Sequence, residues 1–176
     1  MIAPRPAVQR ADDPVGTIWA ALAEVPDPEI PTISLVDLGV IGSVDLADDR
    51  STLRVELLPT FIGCPATEVM REAIGSRLEA LDIARRVEVR LSFAEPWTSD
   101  RITAEGRELL RSSGFAPPPH LRELGALGEL PTLGVVPCPH CGSRATTLEN
   151  PFGPTLCRAI YHCAGCHQPF EAFKPI

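Results

Sequence analysis

The clearest chemistry in this chain sits in two pairs of cysteines near its C-terminus. Cys138-Pro139-His140-Cys141 and Cys163-Ala164-Gly165-Cys166 are C-x2-C knuckles with 21 residues between them. Two thiolates three positions apart on a tight turn point at one metal ion, and two such turns complete a tetrahedron of metal–sulfur bonds. Gly142 and Gly165 suit the turns that knuckles require. The spacing therefore predicts a metal site held by Cys138, Cys141, Cys163 and Cys166.

Two metals fit that pattern. Closed four-cysteine sites are usually structural zinc sites. The C-P-x-C-G knuckle also suits a redox iron of the rubredoxin type, which would be coloured and would cycle between two charge states. Between and after the knuckles, Thr146–Glu149, Arg158–His162 and Phe170–Lys174 can form three strands, which is the layout of a zinc ribbon. A segment of about 40 residues builds too little core alone, so metal binding must supply its folding free energy. Cys157 is the fifth thiol of this region, either a small core residue of a ribbon strand or a ligand. His140, His162 and His167 lie beside knuckle cysteines and read as surface or outer-sphere residues, since four thiolates already close the site.

The sixth cysteine, Cys64, stands apart in Thr60-Phe61-Ile62-Gly63-Cys64-Pro65-Ala66. It follows an apolar strand pattern and precedes a proline that opens a helix, so it falls at or next to a helix N-cap. Free backbone N–H groups and the positive end of the helix dipole favour a thiolate there, which makes a nucleophile or a metal ligand. The alternative is a buried, inert thiol filling a loop. Asp27 and Glu29 flank Pro28, and Asp37 precedes Leu38-Gly39. Such loop carboxylates either cap turns or supply oxygen ligands and hydrogen bonds near Cys64. Thr60 either bonds a thiolate or ends a strand, and Trp97-Thr98 reads as a packing and capping pair. No Ser/His/Asp arrangement, phosphate-binding loop or dinucleotide glycine motif occurs in the sequence. With His120 outside it, the first domain has no histidine for acid–base work.

These residues need a scaffold, and the hydrophobic periodicity outlines one. Asp13-Pro14 is an N-cap and N1 pair, after which Val15, Ile18, Trp19, Leu22 and Val25 recur at helical spacing. Pro26-Asp27-Pro28 must end that helix, leaving 26–39 as an ordered loop. Strands are expected over 40–46, 52–58 and 87–93, the last two alternating well between apolar and charged residues. A helix over roughly 66–81 separates them, with Met70, Ile74, Leu78 and Leu81 on its apolar face. The first two strands can pair as a hairpin, and the strand–helix–strand unit favours a parallel pair with a right-handed crossover. A last helix near 102–112 ends at Gly114. The expected fold is a two-layer α/β (α+β) domain with a small mixed three-stranded sheet, followed by a small β zinc ribbon. The domain boundaries expected are a flexible N-terminus over 1–13, the α/β domain over 14–116, a linker over 117–134 that opens on Pro117-Pro118-Pro119, and the ribbon over 135–176.

Composition bounds the rest. The chain has 176 residues, 44% of them apolar, with 16 basic and 23 acidic side chains and a net charge of -7. That balance argues against a nucleic-acid or anionic-membrane surface, where dense Lys and Arg would meet phosphates. The ribbon region agrees, with Arg144, Arg158 and Lys174 against Glu149 and Glu171 before the thiolates and metal are counted. Six cysteines invite a disulfide framework, but that presupposes export. Met1 to Asp13 has no apolar core of a signal peptide, and no stretch approaches the ~18 apolar residues of a membrane span. The expected location is the cytoplasm, with thiols reduced or bound to metal.

Asp27-Pro28-Glu29-Ile30-Pro31, the Asp37-Leu38-Gly39 step, Thr60-x3-Cys64-Pro65 and Trp97-Thr98 together resemble the MIP-eighteen-like domain of iron–sulfur cluster assembly factors. With the C-terminal CPHCGS…CAGC ribbon, the chain from about 14 to 176 is similar to the PaaD (PaaJ) accessory family encoded with the phenylacetyl-CoA monooxygenase. The resemblance implies a non-catalytic accessory or maturation factor for a metallocentre, iron–sulfur or di-iron, of that multicomponent oxygenase in aerobic phenylacetate degradation. The alternative role is a structural or rubredoxin-like electron-transfer component. Implied partners are the oxygenase and reductase subunits and iron–sulfur assembly proteins, with neither nucleic acid nor membrane; a homodimer is compatible. The resemblance makes Cys64 the functional thiol, with Asp37, Thr60, Asp27 and Glu29 in support. The expected cofactors are a structural zinc in the ribbon and transient iron or an iron–sulfur cluster at Cys64.

Overall fold

The computed structural model describes residues 13–120 and 135–176. The chain divides between Trp97 and Thr98 into two compact units.

The first unit opens with helix α1 (Pro14–Leu22), whose N-cap Asp13 accepts a hydrogen bond from Val15 N. The 26–39 loop leads into β1 (Ile41–Leu46), which pairs antiparallel with β2 (Leu53–Leu57). Helix α2 (Thr67–Glu79) then returns the chain to β3 (Val87–Leu91), parallel to β2. The sheet order is β1-β2-β3. This is the expected hairpin plus parallel pair, and its cause is the alternation read in the sequence. Leu53, Val55 and Leu57 of β2 are buried with Ile18 and Leu22 of α1 and Met70, Ile74 and Leu78 of α2. Arg54 and Glu56 alternate outward. On that outer face Asp45, Arg54 and Glu88 line up across the three strands as ion pairs.

The second unit begins with a 3-10 turn (Ser99–Arg101) and helix α3 (Ala104–Ser112), whose N-cap Thr103 accepts from Gly106 N. Gly114, at φ 86, turns the chain into β4 (Phe115–Ala116). The ribbon strands β5 (Thr146–Asn150), β6 (Arg158–Cys163) and β7 (Pro169–Phe173) form an antiparallel meander. β4 joins them, parallel to β7, in the order β4-β7-β6-β5. The core here is small: Ala116, Cys138, Ala159, Tyr161, Cys163, Phe170 and Ala172, with Tyr161 stacked on Phe170 at 5.6 Å.

The three ribbon strands lie where the sequence places them. The fourth has no counterpart in the sequence pattern, and α3 sits in a different unit from the one expected. Both belong to the second unit, so the structural division falls at 97/98 and not at the 116/117 boundary read from the proline run. The physical reason is long-range pairing. Phe115 and Ala116 find their partners at Glu171 and Ala172, and Ser99 N donates to Ile176 O. Residues 1–12 of the expected flexible terminus and 121–134 of the expected linker lie outside the described residues.

Candidate metal centre and thiol site

The knuckle geometry grows from two loops with one hydrogen-bond plan. In the first, Cys138 N donates to Ser143 O and Gly142 N donates to Cys138 O. In the second, Cys163 N donates to Gln168 O and His167 N donates to Cys163 O. Cysteine, turn and closing residue are spaced identically in both. Each loop needs a left-handed residue at the same place, filled by Gly142 at φ 74 and by His167 at φ 59. Gly165 has another reason to be glycine: a Cβ there would come within 2.9 Å of the Ser143 side chain, where the two loops meet.

The loops bring all four Sγ atoms within 4.8 Å of one another. Cys138 and Cys166 are 3.7 Å apart, and Cys141 and Cys163 are 3.6 Å apart. A tetrahedron with metal–sulfur bonds of about 2.3 Å has edges of about 3.8 Å, so the donor set fits a four-coordinate thiolate site. Cys138 and Cys163 are 2% and 0% exposed and belong to the apolar core, while Cys141 lies at the surface. The backbone N–H groups of Cys166 and Gly165 lower the Cys163 thiol to about 6. Cys166 receives a lowering bond from Gln168 N–H, but burial and the three neighbouring thiols outweigh it and push this thiol up to about 12. A site that strands protons among crowded thiols releases them when a cation takes their place. Cys157 is outside this group, its Sγ 3.1 Å from Thr155 Oγ1.

The second candidate site lies in the first unit, at one end of its sheet. Leu58 N donates to Val40 O and Ser92 N donates to Leu57 O. The start of β1 and the carboxyl ends of β2 and β3 therefore coincide, and the loops 26–39, 58–66 and 92–98 gather there. Crevices outside the carboxyl ends of parallel strands are where α/β sheets place their sites. Cys64 is half-buried in the middle loop. Its carbonyl accepts from Thr67 N and Thr67 Oγ1, at 3.2 and 2.7 Å, in a turn that precedes α2. The N-cap is Ala66, so Cys64 lies two residues before the cap and Pro65 outside the helix, a shift from the position the sequence suggests. Gly63, at φ 82, makes the turn that presents the thiol. Beside it Ile62 stands 87% exposed, and Phe93 on the neighbouring loop is also exposed.

The supporting carboxylates are fixed inside their own loop. Asp27 Oδ1 accepts from Glu29 N and Ile30 N, at 2.9 and 2.8 Å. Asp37 Oδ2 accepts from Ser34 Oγ at 2.7 Å, and Asp37 N donates back to the same hydroxyl at 3.0 Å. Ser34 does not stand out in the sequence reading, although its place three residues before an acid is the signature of such a reciprocal cap. Trp97 is buried, and its Nε1 donates to Leu38 O at 3.1 Å, tying the 92–98 loop to the Asp37-Leu38-Gly39 step. Glu29 lies at the surface and Thr60 is half-buried. Asp27, Glu29, Asp37 and Glu95 stand on the three loops, which contain no Lys, Arg or His. Among the described residues, the four ribbon cysteines are the group of three or more donors close enough to hold an ion, so Cys64 is not part of a preassembled cluster.

Comparison with known proteins follows the same division. Residues 16–91 match the family model described as iron-sulfur cluster assembly protein, and residues 128–174 match the PaaD zinc beta ribbon domain. A protein of Escherichia coli named as a putative 1,2-phenylacetyl-CoA epoxidase subunit is 38% identical over 92% of this chain and 93% of its own length. The Fe-S protein maturation auxiliary factor YitW of Bacillus subtilis is 30% identical over 49% of this chain and 82% of its own length. A crystal structure of a DUF59 domain from Bacillus anthracis is 23% identical, covers 53% of this chain and 88% of its own, and has a TM-score of 0.49. No helix among the described residues is long and apolar enough to cross a membrane. An iron–sulfur assembly domain joined to a PaaD ribbon, and one relative matched nearly end to end, place this chain in the PaaD family of phenylacetyl-CoA epoxidase subunits.

Proposed function

We propose that this chain is a cytoplasmic, non-catalytic maturation factor for a metallocentre of a phenylacetyl-CoA epoxidase, and that Cys64 is its working thiol. The observation that carries the reading is the placement of Cys64. It is half-buried at the carboxyl ends of the parallel pair, on a glycine turn, among loops that hold four carboxylates and no cation. Ferrous iron accepts both thiolate and carboxylate donors, so a thiol on a loop that neighbours acidic loops suits iron in transit. Iron or a cluster is the cargo in this reading. Asp37 and Thr60 assist at the mouth, and Asp27 and Glu29 shape the loop. The match of residues 16–91 to an iron–sulfur assembly family supports this role, as does the maturation factor among its relatives.

In the same reading the ribbon holds a structural zinc through Cys138, Cys141, Cys163 and Cys166 and contributes docking, not chemistry. Bound zinc would cross-link the two knuckles. The partners proposed are the oxygenase and reductase subunits and iron–sulfur assembly proteins.

A Cys64→Ala variant tests the thiol. The expected outcome is unchanged folding and zinc content, with co-expressed epoxidase that lacks most of its iron by metal analysis. Full iron occupancy in the presence of the variant sinks the proposal.

One observation favours a second reading. The N–H of Gly165 lies 3.3 Å from Cys163 Sγ, and N–H···S bonds of this kind tune iron–thiolate potentials. A rubredoxin-like electron carrier predicts a coloured protein with a reversible couple. A colourless protein with one zinc per chain removes it.

A further inference from the structure

Strand β3 is the edge of the first sheet, and among the described residues no strand pairs with its outer side. Other edges carry the devices that discourage pairing. β1 has an irregular register between Ile41 and Val44, β5 has one between Leu148 and Asn150, and β4 is two residues long. β3 is regular throughout, in unbroken register with β2 from Val87 to Leu91.

The direction of its backbone groups follows from two bonds. Leu53 N donates to Arg86 O, and Ser92 N donates to Leu57 O. In a parallel ladder alternate residues face the same neighbour, so Arg86, Glu88, Arg90 and Ser92 turn their backbone groups to β2. Val87, Val89 and Leu91 turn theirs outward. Only a strand whose outward residues oppose these can satisfy them all.

The strand sequence Arg86-Val87-Glu88-Val89-Arg90-Leu91-Ser92 is complementary to itself in one such register. An antiparallel two-fold axis at Val89 sets Val89 opposite its copy and Val87 opposite Leu91. Every outward N–H and C=O then finds a partner. The same axis sets Glu88 opposite Arg90 on the charged outer face, in the non-hydrogen-bonded positions where side chains approach most closely. A slip of two residues either way opposes Arg90 to Arg90, or Glu88 to Glu88 with Arg86 against Arg90. A slip of one breaks the backbone match. Charge therefore selects the register that the backbone also prefers.

We propose that two copies of this chain associate through β3 about a two-fold axis at Val89, making one six-stranded sheet. Leu91, now 39% exposed, is covered in the pairing. The two copies run in opposite directions, so their Cys64 loops lie at opposite ends of the joint sheet, both open to a client. This interface does not depend on the maturation role.

The test is sedimentation equilibrium of the metal-loaded full chain, with circular dichroism to confirm folding. The wild type is expected to dimerise. E88R and R90E each put like charges across the axis, and each should weaken self-association by roughly tenfold or more. Mixed together, E88R and R90E chains should associate with each other more tightly than either does alone, because the opposed pairs are complementary again. Val89→Pro, which removes an outward N–H and leaves the bonds to β2, should also abolish the dimer. A wild type monomeric at hundreds of micromolar overturns the proposal. So does a dimer indifferent to V89P and R90E, or a mixture that shows no preferential association.

Discussion

Gly142 and His167 occupy equivalent places in the two knuckles, and they differ in what that place costs them. A left-handed backbone is free for glycine and costs a residue with a Cβ about 1–2 kcal/mol. His167→Gly should therefore stabilise the metal-loaded ribbon, by roughly 0.5–1 kcal/mol once the extra freedom of glycine in the unfolded chain is subtracted. Gly142→Ala should destabilise it by about 1–2 kcal/mol, since its Cβ would meet nothing within 4 Å and the penalty is backbone strain alone. Urea unfolding of the zinc-loaded protein measures both; equal responses would mean that the knuckles are not equivalent. At this scale the sequence is readable where chemistry is local. The C-x2-C spacing names its ligands because three positions of chain fix the geometry. The strain at His167 is hidden, since nothing in a histidine announces a positive φ. The role of Gly165 is hidden too, because it answers to Ser143, 22 positions away.

The elements of the first unit follow from their patterns. Alternation places β2 and β3, and the proline-rich stretch excludes a helix between α1 and β1. What patterns do not carry is the gathering of three loops at one end of the sheet, which depends on strand order and on a buried bond between loops. Trp97 makes that bond. Trp97→Phe keeps most of the ring and leaves the Leu38 carbonyl without its donor, so it should cost about 1–3 kcal/mol of stability. Amide hydrogen exchange should quicken first in the 34–39 loop. Unchanged exchange there would show that the loop holds itself through the Ser34–Asp37 bonds. The unexpected element, β4, is two residues long and pairs with residues more than fifty positions later. No window of local sequence contains that signal.

On the scale of the whole molecule, two units mean two transitions. The ribbon core includes two of the candidate ligands, so losing the metal also opens its apolar cluster. The aromatic residues make this separable: Trp19 and Trp97 belong to the first unit, and the sole tyrosine, Tyr161, is at the centre of the ribbon core. Chelation is expected to abolish the near-ultraviolet signal of Tyr161 while tryptophan emission and its thermal midpoint stay as they were. Loss of both signals together would mean that the units unfold as one.

The fourth ribbon strand carries a last consequence. The regions matched to the two families are 16–91 and 128–174, so β4 belongs to neither, yet it completes the sheet of the second. Arg158, buried in that sheet, bonds Glu171 and lies over the ring of Phe115. A ribbon exchanged between genes by recombination at the proline run would arrive without Phe115 and with a raw edge on β7. The inheritable module is thus longer than the recognisable one. A ribbon that keeps the edge of β7 closed needs the stretch from Thr98 to Ala116 with it.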